Sequence, residues 1–129
     1  MQIEHLAIWV QDLETMKNFY VNYFEVVHGE KYVNVSTQFV SYFIYFGQGK
    51  TRLELMSRSD IQAAPGQRGF GMGLAHFAIS VGGRDKVNAL TERLRKDNYV
   101  ICSEPRTTGD GYYESVVLDP EGNYVEISA

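Results

Sequence analysis

The sequence predicts an α+β fold in which two βαβββ modules form a curved mixed sheet with helices on its outer face. Three observations lead there. QIEHLAIWV at residues 2–10 and GLAHFAISV at 73–81 carry the same histidine followed by the same small and apolar residues. Behind each copy, apolar residues recur at helical spacing. Each half then closes on a strand-like run with a central glutamate, RLELMS at 52–57 and YVEISA at 124–129.

Each element has its own reason. The histidines lie 71 positions apart, and at that offset Ala7 matches Ala78, Ile8 matches Ile79 and Val10 matches Val81. The register continues through Met16 with Val87, Phe19 with Leu90 and Tyr23 with Leu94. These are positions i, i+3 and i+7, the apolar stripe of a helix packing on a sheet. Asp12 and Asp85 are expected as N-caps, and Asn98 as the end of the second helix. Two further strands are expected in each half, over 26–35 and 39–46, then over 99–107 and 112–118, from their aromatic and β-branched content. Asp119-Pro120-Glu121-Gly122 has the chemistry of a turn joining the last two strands. The closing glutamates lie 72 apart, so one residue is gained between the copies. Residues 60–73, with one Pro and four Gly, read as the linker between modules 1–59 and 74–129 of one domain. The GFGMG inside it lacks the spacing and the strand–turn–helix frame of a dinucleotide loop.

Composition narrows the classes. The chain has 129 residues, 44% hydrophobic and 22% charged, which suits one globular domain rather than a disordered segment. A net charge of −4 with scattered Lys and Arg argues against nucleic acid as a partner. The single cysteine, Cys102, excludes an internal disulfide and suggests an intracellular, cytoplasmic protein; in its apolar setting it reads as core. No stretch is apolar enough to span a membrane, and charge at Glu4 and Asp12 argues against a signal peptide in the first residues.

Strand alternation assigns the faces. Leu6, Ile8 and Val10, with Phe77, Ile79 and Val81, suit the helix side, as do Leu53, Leu55, Val125 and Ile127. His5, His76, Glu54 and Glu126 then share the opposite face. With them lie small residues (Ala7, Ala78, Ser80) beside larger ones (Trp9, Arg52, Met56, Tyr124), as in a lined cavity. A lone strand histidine is more often a structural hydrogen-bonding group, and a lone glutamate is usually solvated. Two of each, paired by a repeat on one face, suit a divalent cation such as Zn, Ni, Co, Mn or Fe(II). His28 has Tyr99 at its repeat position and reads as structural or exposed.

HLAIWVQDLETMKNFY, GLAHFAISV and LDPEGNYVEI together resemble the vicinal oxygen chelate superfamily, which includes glyoxalase I, methylmalonyl-CoA epimerase, extradiol dioxygenases and bleomycin-resistance proteins. The resemblance covers essentially the whole chain. It implies that His5, Glu54, His76 and Glu126 are metal ligands and that Glu126 or Glu54 carries a proton. Trp9, Arg52, Met56 and Tyr124, on the same face, are the expected substrate contacts, and a homodimer is expected because long aromatic strands leave edges to cover and similar proteins often complete their sites across a dimer interface. The implied reaction is that of a glyoxalase-like lyase or isomerase, passing through an enediolate of a 2-oxoaldehyde–thiol adduct. An acyl-thioester epimerase and a metal-free, antibiotic-type binding protein are the alternatives. A two-His-one-carboxylate dioxygenase would leave Glu54 without a role, and antibiotic-binding members typically lack the ligands. Glyoxalase I holds glutathione with basic residues, one of them following the first histidine; here Ala7 and Trp9 follow, so the thiol stays open.

Overall fold

Alternating apolar residues from His5 to Trp9 form the first strand, and Asp12 stops it by capping a helix. The structure is a computed structural model that describes residues 1–47, 49, 51–63 and 66–129. Ala64 and Pro65 of the expected linker lie outside the described residues. By contacts the chain divides into two compact units, Met1–Ala63 and Ala64–Ala129.

In the first unit, strand β1 (His5–Trp9) leads to helix α1 (Leu13–Phe24). Asp12 caps it by accepting from the Thr15 amide at 2.9 Å, and Glu25 ends it in the left-handed region. Next come β2 (Val27–His28), β3 (Tyr32–Asn34), β4 (Phe39–Tyr45) and β5 (Arg52–Ser57). The order across the sheet is β1-β5-β4-β2, with β3 also on β4. The single strand expected over 26–35 is thus broken. His28 pairs with Ile44 but Tyr32 with Ser41, so three residues bulge opposite two.

The second unit repeats the plan with β6 (Phe77–Ser80), α2 (Arg84–Lys96), β7 (Ile101–Thr107), β8 (Tyr113–Leu118) and β9 (Tyr124–Ser128), in the order β6-β9-β8-β7. Gly83, not Asp85, occupies the N-cap; Asp85 sits in the first turn, where its charge favours the helix dipole. Asn98 follows the helix in the left-handed region, and its amide bonds the Arg95 carbonyl. Pro105 is tolerated because β7 is an edge strand with register shifts around it. Gly122, at φ 82°, closes the last turn onto the Asp119 carbonyl, while the Asp119 side chain accepts from the Glu121 and Asn123 amides.

The ladders form two mixed sheets, one in each unit, with the same register. β1 lies parallel to β5 and β6 parallel to β9, so that Ala7 faces Glu54 and Ala78 faces Glu126. The gained residue is absorbed away from this register. The closing hairpin does not hold it: Tyr45 pairs with Arg52 seven positions on but Leu118 with Tyr124 only six, so the second unit is shorter there and gains two residues before β8. Tyr42 donates to Glu14 of α1 at 3.1 Å, which fixes Tyr42, Leu55 and Ile8 on the helix side. The buried Thr91 of α2 bonds Ser115 at 2.7 Å, which does the same for Ser115, Ile127 and Ile79. Met16, Tyr20, Ile44, Leu53 and Leu55 form the first core, and Val87, Leu94, Val117, Val125 and Ile127 the second.

Candidate functional site

The row Ala7–Glu54–Phe43 crosses the first sheet on the face away from α1. His5 lies one pleat before Ala7, and its Nε2 approaches Glu54 Oε2 to 3.8 Å. The Glu54 side chain is 14% exposed and that of His5 41%, so the carboxylate is the more buried of the two. The ring stands edge-on to Phe43 at 5.6 Å. Its Nδ1 bonds the Glu4 carboxylate, whose other oxygen pairs with Arg52 Nη2. The His5 hydrogen bond, with the Arg52 guanidinium, holds the Glu4 carboxyl below its usual range.

The second sheet presents the same pair. His76 directly precedes β6 rather than lying within it, and its Nε2 is 3.2 Å from Glu126 Oε2. Glu126 is 17% exposed and His76 52%. Val116 stands opposite Glu126 where Phe43 stands opposite Glu54. Glu114, two residues before Val116 and on the same face, is pushed up by burial and then by its hydrogen bond with Glu126.

The expected substrate-contact residues divide by environment. Trp9 is exposed at the end of β1, edge-on to Phe39 at 6.1 Å, with the Arg58 guanidinium 5.4 Å from its ring. Met56 is its neighbour across the ladder. Arg52 is engaged by Glu4 and stacks 4.1 Å from the Phe43 ring centre. Tyr124 is clasped by the loop before β6: Gln67 Nε2 donates to its hydroxyl at 2.5 Å and Phe70 packs edge-on at 5.6 Å. Arg68 pins the same loop to Asn123 at 2.8 Å and to Glu121 at 3.4 Å. Cys102, expected in the core, is exposed on edge strand β7; desolvation still pushes its thiol up, the opposite of an activated nucleophile.

The structure therefore brings together His5 with Glu54 and His76 with Glu126, each within its own unit. Among the described residues, no group of three or more His, Cys, Asp or Glu side chains is gathered in metal-holding geometry. No helix among them is long and apolar enough to cross a membrane. Sequence reasoning missed Glu4 and Glu114. Glu4 has Ala75 as its repeat counterpart, and Glu114 shows itself only through its cross-strand position beside Glu126.

Comparison with known proteins points one way. The family model described as Glyoxalase/Bleomycin resistance protein/Dioxygenase superfamily matches residues 2–127. Among solved structures, the chain is similar to the trypanothione-dependent glyoxalase I of Leishmania major, with 24% identity and a TM-score of 0.76 over 99% of this chain and 86% of that one. A glyoxalase family protein from Enterococcus faecalis is similar at 21% identity and TM-score 0.76, covering 99% and 97%. Glyoxalase I from Zea mays gives 23% and 0.78, covering 98% of this chain and 44% of the longer plant chain. No curated protein matches.

Proposed function

The chain belongs to the Glyoxalase/Bleomycin resistance protein/Dioxygenase superfamily, and from that premise we propose that it is a metal-dependent lyase or isomerase of the glyoxalase type. The observation that carries the proposal is the repeated pair. In each unit a histidine Nε2 meets a glutamate Oε2, at 3.8 Å and 3.2 Å, on the sheet face away from the helix.

The donor set suits a divalent ion. His5 with Glu54 in the first unit and His76 with Glu126 in the second are the proposed ligands, each pair an imidazole and a carboxylate, donors that suit such an ion. The His5 ring already has its other nitrogen bonded to a carboxylate, the arrangement that fixes metal-binding imidazoles. When bound, the ion supplies Lewis acidity toward adjacent substrate oxygens. Zn, Ni or Co fit this set best, with Mn or Fe(II) also compatible.

The chain's own residues do the rest. Glu126 or Glu54 removes a proton from the carbon beside the substrate carbonyl and returns it to the neighbouring carbon, as base and then acid. Ala7 and Ala78 are exposed and small, which leaves the flank of each carboxylate open. Trp9 and Met56 offer apolar surface one row further along the same face. The substrate class is a 2-oxoaldehyde–thiol adduct, and the protein acts as a homodimer.

Metal analysis of the purified protein, followed by a 2-oxoaldehyde assay across several thiols, tests the reading. Stoichiometric divalent ion and EDTA-sensitive turnover with one thiol are expected. A protein that takes up no divalent ion overturns it.

A further inference from the structure

We propose that Glu4 is a positioning residue that fixes the tautomer of His5, holding the ring hydrogen on Nδ1 and leaving the Nε2 lone pair directed at Glu54. The inference rests on the reading of His5 as a metal ligand and adds a residue that the repeat does not reveal.

Four side chains close a ring of contacts. Glu4 Oε2 bonds His5 Nδ1, and Glu4 Oε1 bonds Arg52 Nη2. The Arg52 guanidinium lies 4.1 Å from the centre of Phe43, and Phe43 meets the edge of His5 at 5.6 Å. The backbone adds a fifth link, because the Arg52 amide donates to the Glu4 carbonyl at 3.0 Å. Each member thus has two neighbours that limit its freedom, although Glu4 itself is exposed.

The chemistry follows from donor and acceptor rules. A neutral imidazole has one N–H and one lone pair, and a carboxylate only accepts. With Nδ1 facing Glu4, the hydrogen must be on Nδ1, so Nε2 carries the lone pair a metal ion needs. The Arg52 contact stops the carboxylate from swinging away. None of the three partners of His5 recurs in the second unit: Ala75 precedes His76, Tyr124 replaces Arg52 at the matching position of β9, and Val116 replaces Phe43. The two histidines are therefore unequal, with His5 preset and His76 not.

The test is ¹⁵N NMR of the histidine rings in the metal-free protein, which distinguishes a ring nitrogen bearing hydrogen from one with a lone pair. His5 should be held as the Nδ1–H tautomer. Glu4→Ala should release it to an Nε2–H or mixed state while leaving His76 unchanged. In Glu4→Gln the amide oxygen still accepts, so the shift should be partial. Divalent-ion affinity should fall about ten- to hundredfold in Glu4→Ala and less in Glu4→Gln. A wild-type His5 that carries its hydrogen on Nε2 overturns the proposal, as does a Glu4→Ala protein with unchanged tautomer and affinity. Loss of thermal stability without a tautomer change marks a merely structural ion pair and overturns it too. If the wild-type protein binds no divalent ion, the catalytic reading fails, while the tautomer measurement still decides the role of Glu4.

Discussion

Ala7 stands directly across the parallel ladder from Glu54, as Ala78 stands across from Glu126. Neighbouring strands are only about 4.8 Å apart, so the residue facing each glutamate controls access to its flank. Both alanines are exposed. Ala7→Leu and Ala78→Leu should each leave Tm nearly unchanged, since surface changes usually stay within about 0.5 kcal/mol. Each should weaken divalent-ion or substrate binding by about tenfold or more, roughly 1.4 kcal/mol. Titration calorimetry beside a thermal melt separates the two effects; unchanged binding in both variants would mean that these flanks are not used.

The helix stripe is only partly legible in the sequence. Met16 and Val87 stand out as a repeated apolar pair, and both are fully buried. Tyr20 and Thr91 hold the next shared position and are equally buried, yet threonine does not read as core. Its hydroxyl is satisfied: it donates to the Val87 carbonyl at 2.7 Å and accepts from Ser115 at 2.7 Å. Thr91→Val strands the buried Ser115 hydroxyl and should cost about 1–3 kcal/mol. Adding Ser115→Ala should recover most of that loss, which chemical denaturation of the single and double variants measures.

The site is legible to the extent that it repeats. Strand alternation and the two copies are enough to put His5, Glu54, His76 and Glu126 on one kind of face. What escapes is set by cross-strand register, which no local pattern encodes. Glu4 meets Arg52 from 48 positions away, and Glu114 meets Glu126 only because β8 lies beside β9. The same cause breaks the strand expected over 26–35, where a bulge at 29–31 depends on how β2 and β3 each pair with β4.

Glu14 ties α1 to its sheet. It accepts from Lys17 at 2.9 Å, Lys31 at 3.0 Å and Tyr42 at 3.1 Å. These bonds, that of Lys17 foremost, bring its pKa down from 4.5 to about 2. A carboxyl lowered on folding stabilises the native state above its unfolded pKa and loses that effect as pH falls through the folded one. Its side chain is half exposed, so solvent screening limits the contribution to about 1 kcal/mol. Glu14→Gln should therefore be less stable than wild type above pH 5, with the gap closing between pH 4.5 and 2. Urea melts across that range, repeated in high salt to shrink the gap further, provide the check.

Gly69 lets the loop clasp Tyr124. Its φ is +81°, and a Cβ there would lie 2.7 Å from the Ala75 carbonyl and 2.9 Å from the Tyr124 ring. Both contacts are too close for a methyl group, and the conformation is itself strained for alanine. Gly69→Ala should push the loop off Tyr124 at a cost of about 1–3 kcal/mol. Faster amide exchange over residues 67–70, with β8 and β9 unchanged, is the expected signature.

The glutamates should separate metal binding from proton transfer. If Glu126 is both ligand and proton carrier, Glu126→Gln keeps an oxygen donor of the same size but loses the basic carboxylate. Turnover should then fall by about 10²–10⁴, the usual worth of a general base, with much of the metal retained. His5→Ala and His76→Ala delete a ring nitrogen outright and should lower metal occupancy first. Glu54→Gln is the comparison, because its carboxylate has the same relation to His5 as Glu126 has to His76, at 3.8 Å against 3.2 Å. The two differ in their neighbours: Glu126 bonds Glu114, whereas Glu54 faces Phe43 across the ladder. A second carboxyl beside Glu126 favours it as the proton carrier, so Glu126→Gln should be the more damaging of the two. Metal content and single-turnover rates measured on the same samples decide the matter. Wild-type rates in both glutamine variants, with metal bound, would remove proton transfer from these residues altogether.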